Sequence, residues 1–387
     1  MASFWYLLSA ACLLLFVYPY AIYPILLRFF PKQPYRAEKG ADISNLSVAL
    51  VFCAFNEEQS LPEKIRNVRA LKRCYPRMHV LAYSDCSQDM TNQLLEQASD
   101  VLTPVIGNTR VGKVIGMQKL VSMTKQDIVI FTDANVILEP ESVPRILRYF
   151  TNPEIGAVAG TLFYLSSDPT SETATAKVGS LYWRLEEHIK KLESDTGSTM
   201  GADGSIFARR RPGYPKIPGD LVDDLAASIS VLFDGCRCIS APDVQAYEQS
   251  VHIRSEEFRR KRRIACGSMT TYRYLQPKLR ELSRIDRFKF FSHKVLRWLG
   301  GFVLFLALIF ALLGGWSAGL LLVTILAIGG TGSILWLLGP RGIPILSPIY
   351  EILLSVIATA IGVIESLAGK QYQTWTPAKS RSASQHE

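Results

Sequence analysis

Charged side chains are absent from Met1 to Leu27 and again from Leu299 to Gly339, and between these apolar blocks short apolar runs alternate with longer amphipathic ones. About 20 apolar residues at ~1.5 Å rise cross a ~30 Å hydrocarbon core, so residues 1–27 predict one span and residues 299–339 a hairpin turning near Gly314, Gly315 and Ser317. A later apolar stretch is cut by Pro344, Pro348, Glu351 and Glu365, and two readings stay open for it, a full span or a re-entrant or interfacial helix. Between the blocks, strands are predicted over Val48 to Phe55, His79 to Ser84, Asp127 to Thr132 and Gly156 to Phe163. Helices are predicted over Gln59 to Leu71, Gln88 to Ala98, Lys113 to Thr124 and Glu141 to Phe150. Strands alternating with helices are the pattern of an α/β domain with a doubly wound, mostly parallel sheet.

Composition agrees with a hybrid of soluble domain and membrane segments, since 48% of the 387 residues are hydrophobic while 20% are charged. Seven scattered cysteines form no C-x-x-C pair, which argues for a reducing compartment and against a disulfide framework or zinc site. His79, His188, His252 and His293 lack metal-ligand spacing and are expected in structural or surface roles. The net charge of +9 borders the apolar segments: Arg28, Lys32, Arg36 and Lys39 follow the first, and Lys278 to Arg297 precede the next. That placement indicates anionic lipid and no nucleic acid, and it puts the domain on the cytoplasmic face of the cell membrane. A cleaved signal peptide lacks its positive n-region and cleavage site.

The chain therefore divides into an N-terminal transmembrane helix (1–27), a basic linker (28–46), a cytoplasmic domain (47–282), an amphipathic interface helix (283–298), two to three membrane segments (299–369) and a polar tail (370–387). Over 283–298, aromatic and aliphatic residues alternate with cations, as in a helix lying among headgroups or in an ordinary amphipathic core helix. Lys370, Lys379 and Arg381 place the tail inside.

Polar residues cluster where the strands end: Asn56 and Glu57, then Asp85, then Asp133 and Asn135. Ligands bind at that edge of an open α/β sheet, although each residue alone also serves as a helix cap or turn former. Lys113 follows Gly112 at a helix start, where backbone N–H groups and an ammonium together favour phosphate.

The ordered set Ala54-Phe55-Asn56-Glu57-Glu58, Ser84-Asp85-Cys86-Ser87-Gln88-Asp89, Gly112-Lys113, Thr132-Asp133-Ala134-Asn135, Gly201-Ala202-Asp203-Gly204, Val222-Asp223-Asp224 and Arg260-Lys261-Arg262-Arg263-Ile264 resembles the membrane-bound family-2 glycosyltransferases. That group includes cellulose, chitin and hyaluronan synthases and ceramide glucosyltransferase. The resemblance implies a GT-A-type fold. It implies that Asn56, Glu57, Asp85, Lys113, Asp133, Arg260 and Arg263 bind a nucleotide-sugar donor, with Asp85 at the nucleobase. Asp133 and Asn135 stand at the family's D-x-D and imply Mg2+ or Mn2+, with an amide in place of the second carboxylate. Asp224 stands at the second acid of the family's Thr-Glu-Asp, here Val-Asp-Asp, and is the expected general base, with Asp223 as a possible exchange. Arg260 and Arg263 stand at Q/R-x-x-R-W, where Ile264 replaces the Trp. Gly201, Asp203 and Asp223 are expected on the acceptor side.

These residues match the demands of moving a sugar with inversion from a nucleotide-diphosphate donor: hold the diphosphate, stabilise its departure, and deprotonate an acceptor hydroxyl. A lipid-linked saccharide or growing polysaccharide is the expected acceptor, with a membrane lipid such as ceramide as an alternative. So few spans leave no room for a secretion channel within one chain, so polysaccharide-assembly partners or self-association are expected for export. A non-catalytic nucleotide-sugar scaffold and a nucleotidyltransferase are the rival classes.

Overall fold

The structure is a computed structural model that describes residues 1–38, 40–165, 174–249 and 253–374; Lys39, His252, Lys379 and Arg381 lie outside the described residues. Its centre is an eight-stranded sheet of β1 (Val48–Ala54), β2 (His79–Ser84), β3 (Thr103–Ile106), β4 (Ile128–Thr132), β5 (Ile137–Leu138), β6 (Ile155–Leu165), β7 (Ile206–Arg210) and β8 (Arg237–Gln249). The spatial order is β3-β2-β1-β4-β7-β6-β8-β5. β3, β2, β1 and β4 run parallel, as do β6 and β8, while β7 is antiparallel to both β4 and β6. The four expected strands are present, and β3, β5, β7 and β8 are additions.

Strand alternation fills both faces of the sheet. Leu50 and Phe52 of β1 pack with Leu61, Val68 and Leu71 of α3 (Leu61–Cys74), Leu95 of α4 (Thr91–Gln97) and Ile146 of α6 (Ser142–Tyr149). Ala49 and Val51 face the other way, toward Val114, Met117 and Leu120 of α5 (Lys113–Met123) and Ala226 and Ala227 of α8 (Asp223–Phe233). The C-terminal ends of the parallel strands β1, β2, β3 and β4 therefore open on one edge, and the later helices include α7 (Ala174–Asp195) and α9 (Arg254–Leu279).

The first apolar run is not one helix over 1–27. It forms α1 (Ala2–Val17) and α2 (Ile22–Leu27), broken around Pro19, which supplies no backbone N–H to continue the ladder. α1 packs on α12 (Gly300–Ser317), with Ser9 Oγ donating to the Ala307 carbonyl at 2.9 Å, while Tyr23 and Leu27 of α2 are buried under the soluble domain. Among the described residues, three helices are long and apolar enough to cross a membrane: α12, α13 (Leu321–Leu338, with the turn that follows to Arg341) and α14 (Leu346–Leu367).

The hairpin turn falls at 318–320, just after the glycines expected to make it. α14 lies along α9, joined by Arg254 to Glu351 at 2.6 Å, Lys261 to Ser355 at 2.5 Å, Arg262 to Glu365, and Thr270 with Ser366 at 2.7 Å. Two of the five residues in the basic run 259–263, Lys261 and Arg262, therefore grip a neighbouring helix.

Residues 283–298 do form helix, as α10 (Arg284–Phe290), a π-helical turn (Phe291–Val295) and α11 (Leu296–Trp298). Three of its basic side chains face inward, Lys289 and His293 with no exposed surface and Arg297 buried, all turned into the protein against α7, while Arg284 and Arg287 stay exposed.

Candidate active site

Lys113, the first residue of α5, donates from Nζ to Asp133 Oδ1 at 2.6 Å, joining the end of β4 to the helix start. Burial works against the Lys113 charge, but the carboxylates of Asp133, Asp223 and Asp224 outweigh it and raise its pKa above the ordinary lysine value. Asp223 and Asp224 open α8. Gly204 is wedged between these groups: a Cβ there would stand 2.9 Å from Lys113 Nζ and 3.1 Å from Asp224 Oδ2. A side chain at this position would push on both groups, so the glycine lets the 201–204 backbone pass close to them.

Asp224 Oδ1 accepts from the Leu225 N–H at 2.6 Å, and Oδ2 faces Gly204. Burial, reinforced by the neighbouring Asp223 and by Asp203, raises its carboxyl to about 7 against the pull of Lys113. A carboxyl tuned to that range suits proton uptake at neutral pH.

The residues expected at the donor fasten the loops at the strand ends. Asp85 is buried, its Oδ1 and Oδ2 accepting from the Val111 and Gly112 N–H groups at 2.8 and 2.9 Å, so it fastens the turn that launches α5. Asn56, at φ 51°, accepts from the Gln88 N–H at 2.9 Å, and the Glu57 N–H donates to Thr91 Oγ1 at 2.9 Å; both tie the β1 edge to the β2 edge. Gly112 sits at φ 89°, and a side chain there would collide with the Gln373 carbonyl, because the chain beyond α14 returns across this turn.

Asn135 lies in the loop after β4 and donates from Nδ2 to Glu248 Oε1 of β8 at 2.9 Å. This fixes the amide with its oxygen on the opposite side. Glu248 also acts on Arg260 of α9, which pairs with Glu257 through two hydrogen bonds at 2.8 and 3.0 Å. Arg260 thus reaches the side of Asn135, and Arg263 lies three residues further along α9. Among the described residues no group of three His, Cys, Asp or Glu is arranged to hold a metal. Asp133, 31% exposed, and the Asn135 oxygen offer two hard ligands, which fits a cation completed by water and substrate phosphate oxygens.

The loop of Gly201 and Asp203, expected on the acceptor side, rests on α7, which the sequence reading did not mark out. Lys190 donates to Asp203 Oδ2 at 2.9 Å, and Glu193 accepts from the Met200 N–H at 2.9 Å. No local pattern distinguishes these two residues on an amphipathic helix. Lys64 was equally missed, yet it left a trace: it interrupts the apolar stripe of Leu61, Val68 and Leu71, and it is fully buried, donating to Thr132 Oγ1 at 3.2 Å and the Val136 carbonyl at 2.6 Å beneath the 133–135 loop.

Residues 49–217 match the family described as Glycosyl transferase family 2. A stretch of 105 residues, 26% of this chain and 31% of the relative, is 33% identical to an undecaprenyl-phosphate 4-deoxy-4-formamido-L-arabinose transferase of Pseudomonas fluorescens. A stretch of 171 residues, 43% of this chain and 49% of the relative, is 26% identical to a protein of the same name in Salmonella paratyphi A. The chain spans less than half the length of these curated relatives. Among solved structures, a mannosyltransferase from Pyrobaculum calidifontis, in complex with GDP-mannose and Mn2+, superposes with a TM-score of 0.72 at 17% identity, covering 95% of this chain and 100% of that one. The GT-A-type architecture expected from the sequence is the fold of this chain.

Proposed function

From the premise that residues 49–217 form a family-2 glycosyltransferase domain, we propose that the protein transfers a sugar, with inversion, from a nucleotide-diphosphate donor to a hydroxyl on a membrane-borne acceptor. The observation that carries this is Asp224, a carboxyl raised to about 7 at a glycine-floored gap beside Lys113. Asp224 takes the proton of the acceptor hydroxyl as oxygen attacks the anomeric carbon from the face opposite the diphosphate. That single displacement breaks the sugar–phosphate bond and inverts the centre, so one base suffices; general-base help of this kind contributes about 10²- to 10⁴-fold.

Lys113 and the guanidinium groups of Arg260 and Arg263 meet the departing diphosphate. Asp85 holds the 111–112 turn and keeps lone pairs for a nucleobase imide N–H, which favours a uridine donor. Asn56 and Glu57 hold the loop edges around it. Asp133 and the Asn135 oxygen hold Mg2+ or Mn2+, which when bound neutralises charge on the diphosphate. Asp203 and Gly201 line the acceptor side, and Asp223 sets the basicity of Asp224.

The apolar helices support a domain held at a membrane, and the basic flanks support a position on the cytoplasmic face of the cell membrane. The pairing of α14 with α9 and the return of Gln373 to Gly112 support an α14 that stays on the domain's side.

A second reading takes a polyprenyl phosphate as acceptor, favoured by the names of the curated relatives. A phosphate oxygen is already anionic and needs no base. Nucleoside-diphosphate release should therefore be measured with detergent-purified protein, a panel of UDP-, GDP- and dTDP-sugars, Mg2+ or Mn2+, and either membrane lipid extract or undecaprenyl phosphate. Release from one donor that needs lipid extract and vanishes in Asp224→Asn is the expected result. Release with undecaprenyl phosphate that survives Asp224→Asn selects the second reading. Silence from every donor despite donor binding overturns both and leaves a scaffold role.

A further inference from the structure

The loop carrying Gly201 and Asp203 is fastened from behind by a buried ionic chain that leads away from the reacting groups. Glu193 is its hub and has no exposed surface. Toward the loop, its Oε2 accepts from the Met200 N–H at 2.9 Å and from the Thr199 hydroxyl at 3.2 Å. Toward the membrane side, its Oε1 accepts from the Tyr23 hydroxyl of α2 at 2.6 Å and lies 2.8 Å from His293 Nδ1. His293 Nε2 continues to Glu186 at 3.0 Å, which also takes Lys294 at 3.0 Å and Arg297. One turn before Glu193, Lys190 holds Asp203 at 2.9 Å, so two residues of α7 grip both ends of the 199–203 loop.

Two features separate this chain from ordinary packing. Buried ion networks contribute little net stability compared with well-packed apolar residues of the same volume, so one placed behind a substrate loop points to placement of that loop. His293 also enters the network from a π-helical turn, a local departure from α-geometry that puts its ring between the two glutamates. The next residues along the loop reach Gly204, against Asp224 and Lys113.

We propose that Glu193, assisted by Lys190, is a positioning residue for transfer: it sets the height of the 199–204 loop over Asp224 and ties that height to α2 and the π-helical turn at the membrane side. This rests on the acceptor-transfer reading above only for its kinetic consequence. The mechanical link stands on the contacts themselves.

The test uses full-length protein in detergent, with Glu193→Gln as the main variant and Tyr23→Phe, which removes only one outer hydrogen bond, as the second. Hydrogen–deuterium exchange should show the 199–204 amides exchanging about tenfold faster in Glu193→Gln, the factor carried by one hydrogen bond to a charged group, with residues 48–54 unchanged. With membrane lipid extract as acceptor source, the apparent acceptor KM should rise about tenfold while the donor KM stays within about twofold. Tyr23→Phe should move both readouts the same way by less, and it carries the test if Glu193→Gln fails to fold. Unchanged loop exchange in a folded variant, or donor and acceptor KM rising together, overturns the proposal. If the unmutated protein transfers nothing, the functional reading fails, while the exchange measurement still decides the link.

Discussion

Lys113 Nζ donates to Asp133 Oδ1 at 2.6 Å, so the ammonium suited to a phosphate and the carboxylate suited to a cation share one oxygen. A divalent cation bound at Asp133 would therefore compete with the ammonium for that carboxylate, while both would attract a diphosphate.

Lys113→Met separates the two effects. Binding of Mn2+ to the protein alone, followed by electron paramagnetic resonance, should tighten by about threefold or more, since Asp133 loses its ion-pair partner. Donor binding should weaken by about tenfold or more, the value of a charge-assisted hydrogen bond to phosphate. Loss of both together would remove Lys113 as a competitor.

Asn135 and Glu248 act as a matched pair, the amide donating to the carboxylate at 2.9 Å. Asn135→Asp replaces that hydrogen bond by two facing carboxylates, which should cost about 1–3 kcal/mol in the metal-free protein. A cation relieves the repulsion, so the rise in Tm on adding Mn2+ should be larger in the variant than in the unmutated protein. An equal rise would place Glu248 outside the metal's influence.

If Asp224, raised to about 7, is the base proposed above, it should set the acidic limb of the pH profile. Its ordinary value is 3.8. Between those pH values the folded protein holds a proton that the unfolded chain releases, so its contribution to stability is full below 3.8 and is lost as pH rises through about 7. Activity should therefore climb across pH 7 as the base is freed. Asp224→Asn should lower turnover about 10²-fold or more with donor affinity nearly intact. It should also remove this group's share of the stability loss between pH 4 and 7, which thermal unfolding across that range would reveal.

Lys64, driven down to about 7 by burial and only partly supported by Asp133, gives the opposite slope. The unfolded chain binds its proton up to about 10.5, so stability should increase as pH rises from about 7 to that value. Lys64→Met should flatten this rise, and it should lower Tm at every pH by leaving Thr132 Oγ1 and the Val136 carbonyl without their shared donor. Parallel Tm curves for the two proteins would show that Lys64 does not titrate in this range.

The sequence by itself determined the elements whose cause is local. Alternation and apolar runs marked β1, β2, β4 and β6, and the capping and turn residues after them marked the edge where Asp85, Lys113 and Asp133 gather, because side chains of successive strand ends must converge there. The order of short motifs pointed to Asp224 as the candidate base, and the structure sets it beside Lys113 and Gly204. The tertiary structure alone decided what depends on distant partners. β7 and β8 pair through register with strands far away in sequence, and Glu248 meets Asn135 only because β8 crosses to that side of the sheet. Lys190 and Glu193 lie on a helix whose pattern resembles any amphipathic one. The cations of 283–298 looked made for headgroups, yet Lys289, His293 and Arg297 turn inward because α7 offers carbonyls and two buried carboxylates. A linear pattern records which residues are apolar, while the partner that satisfies a buried charge is chosen only when the chain closes on itself.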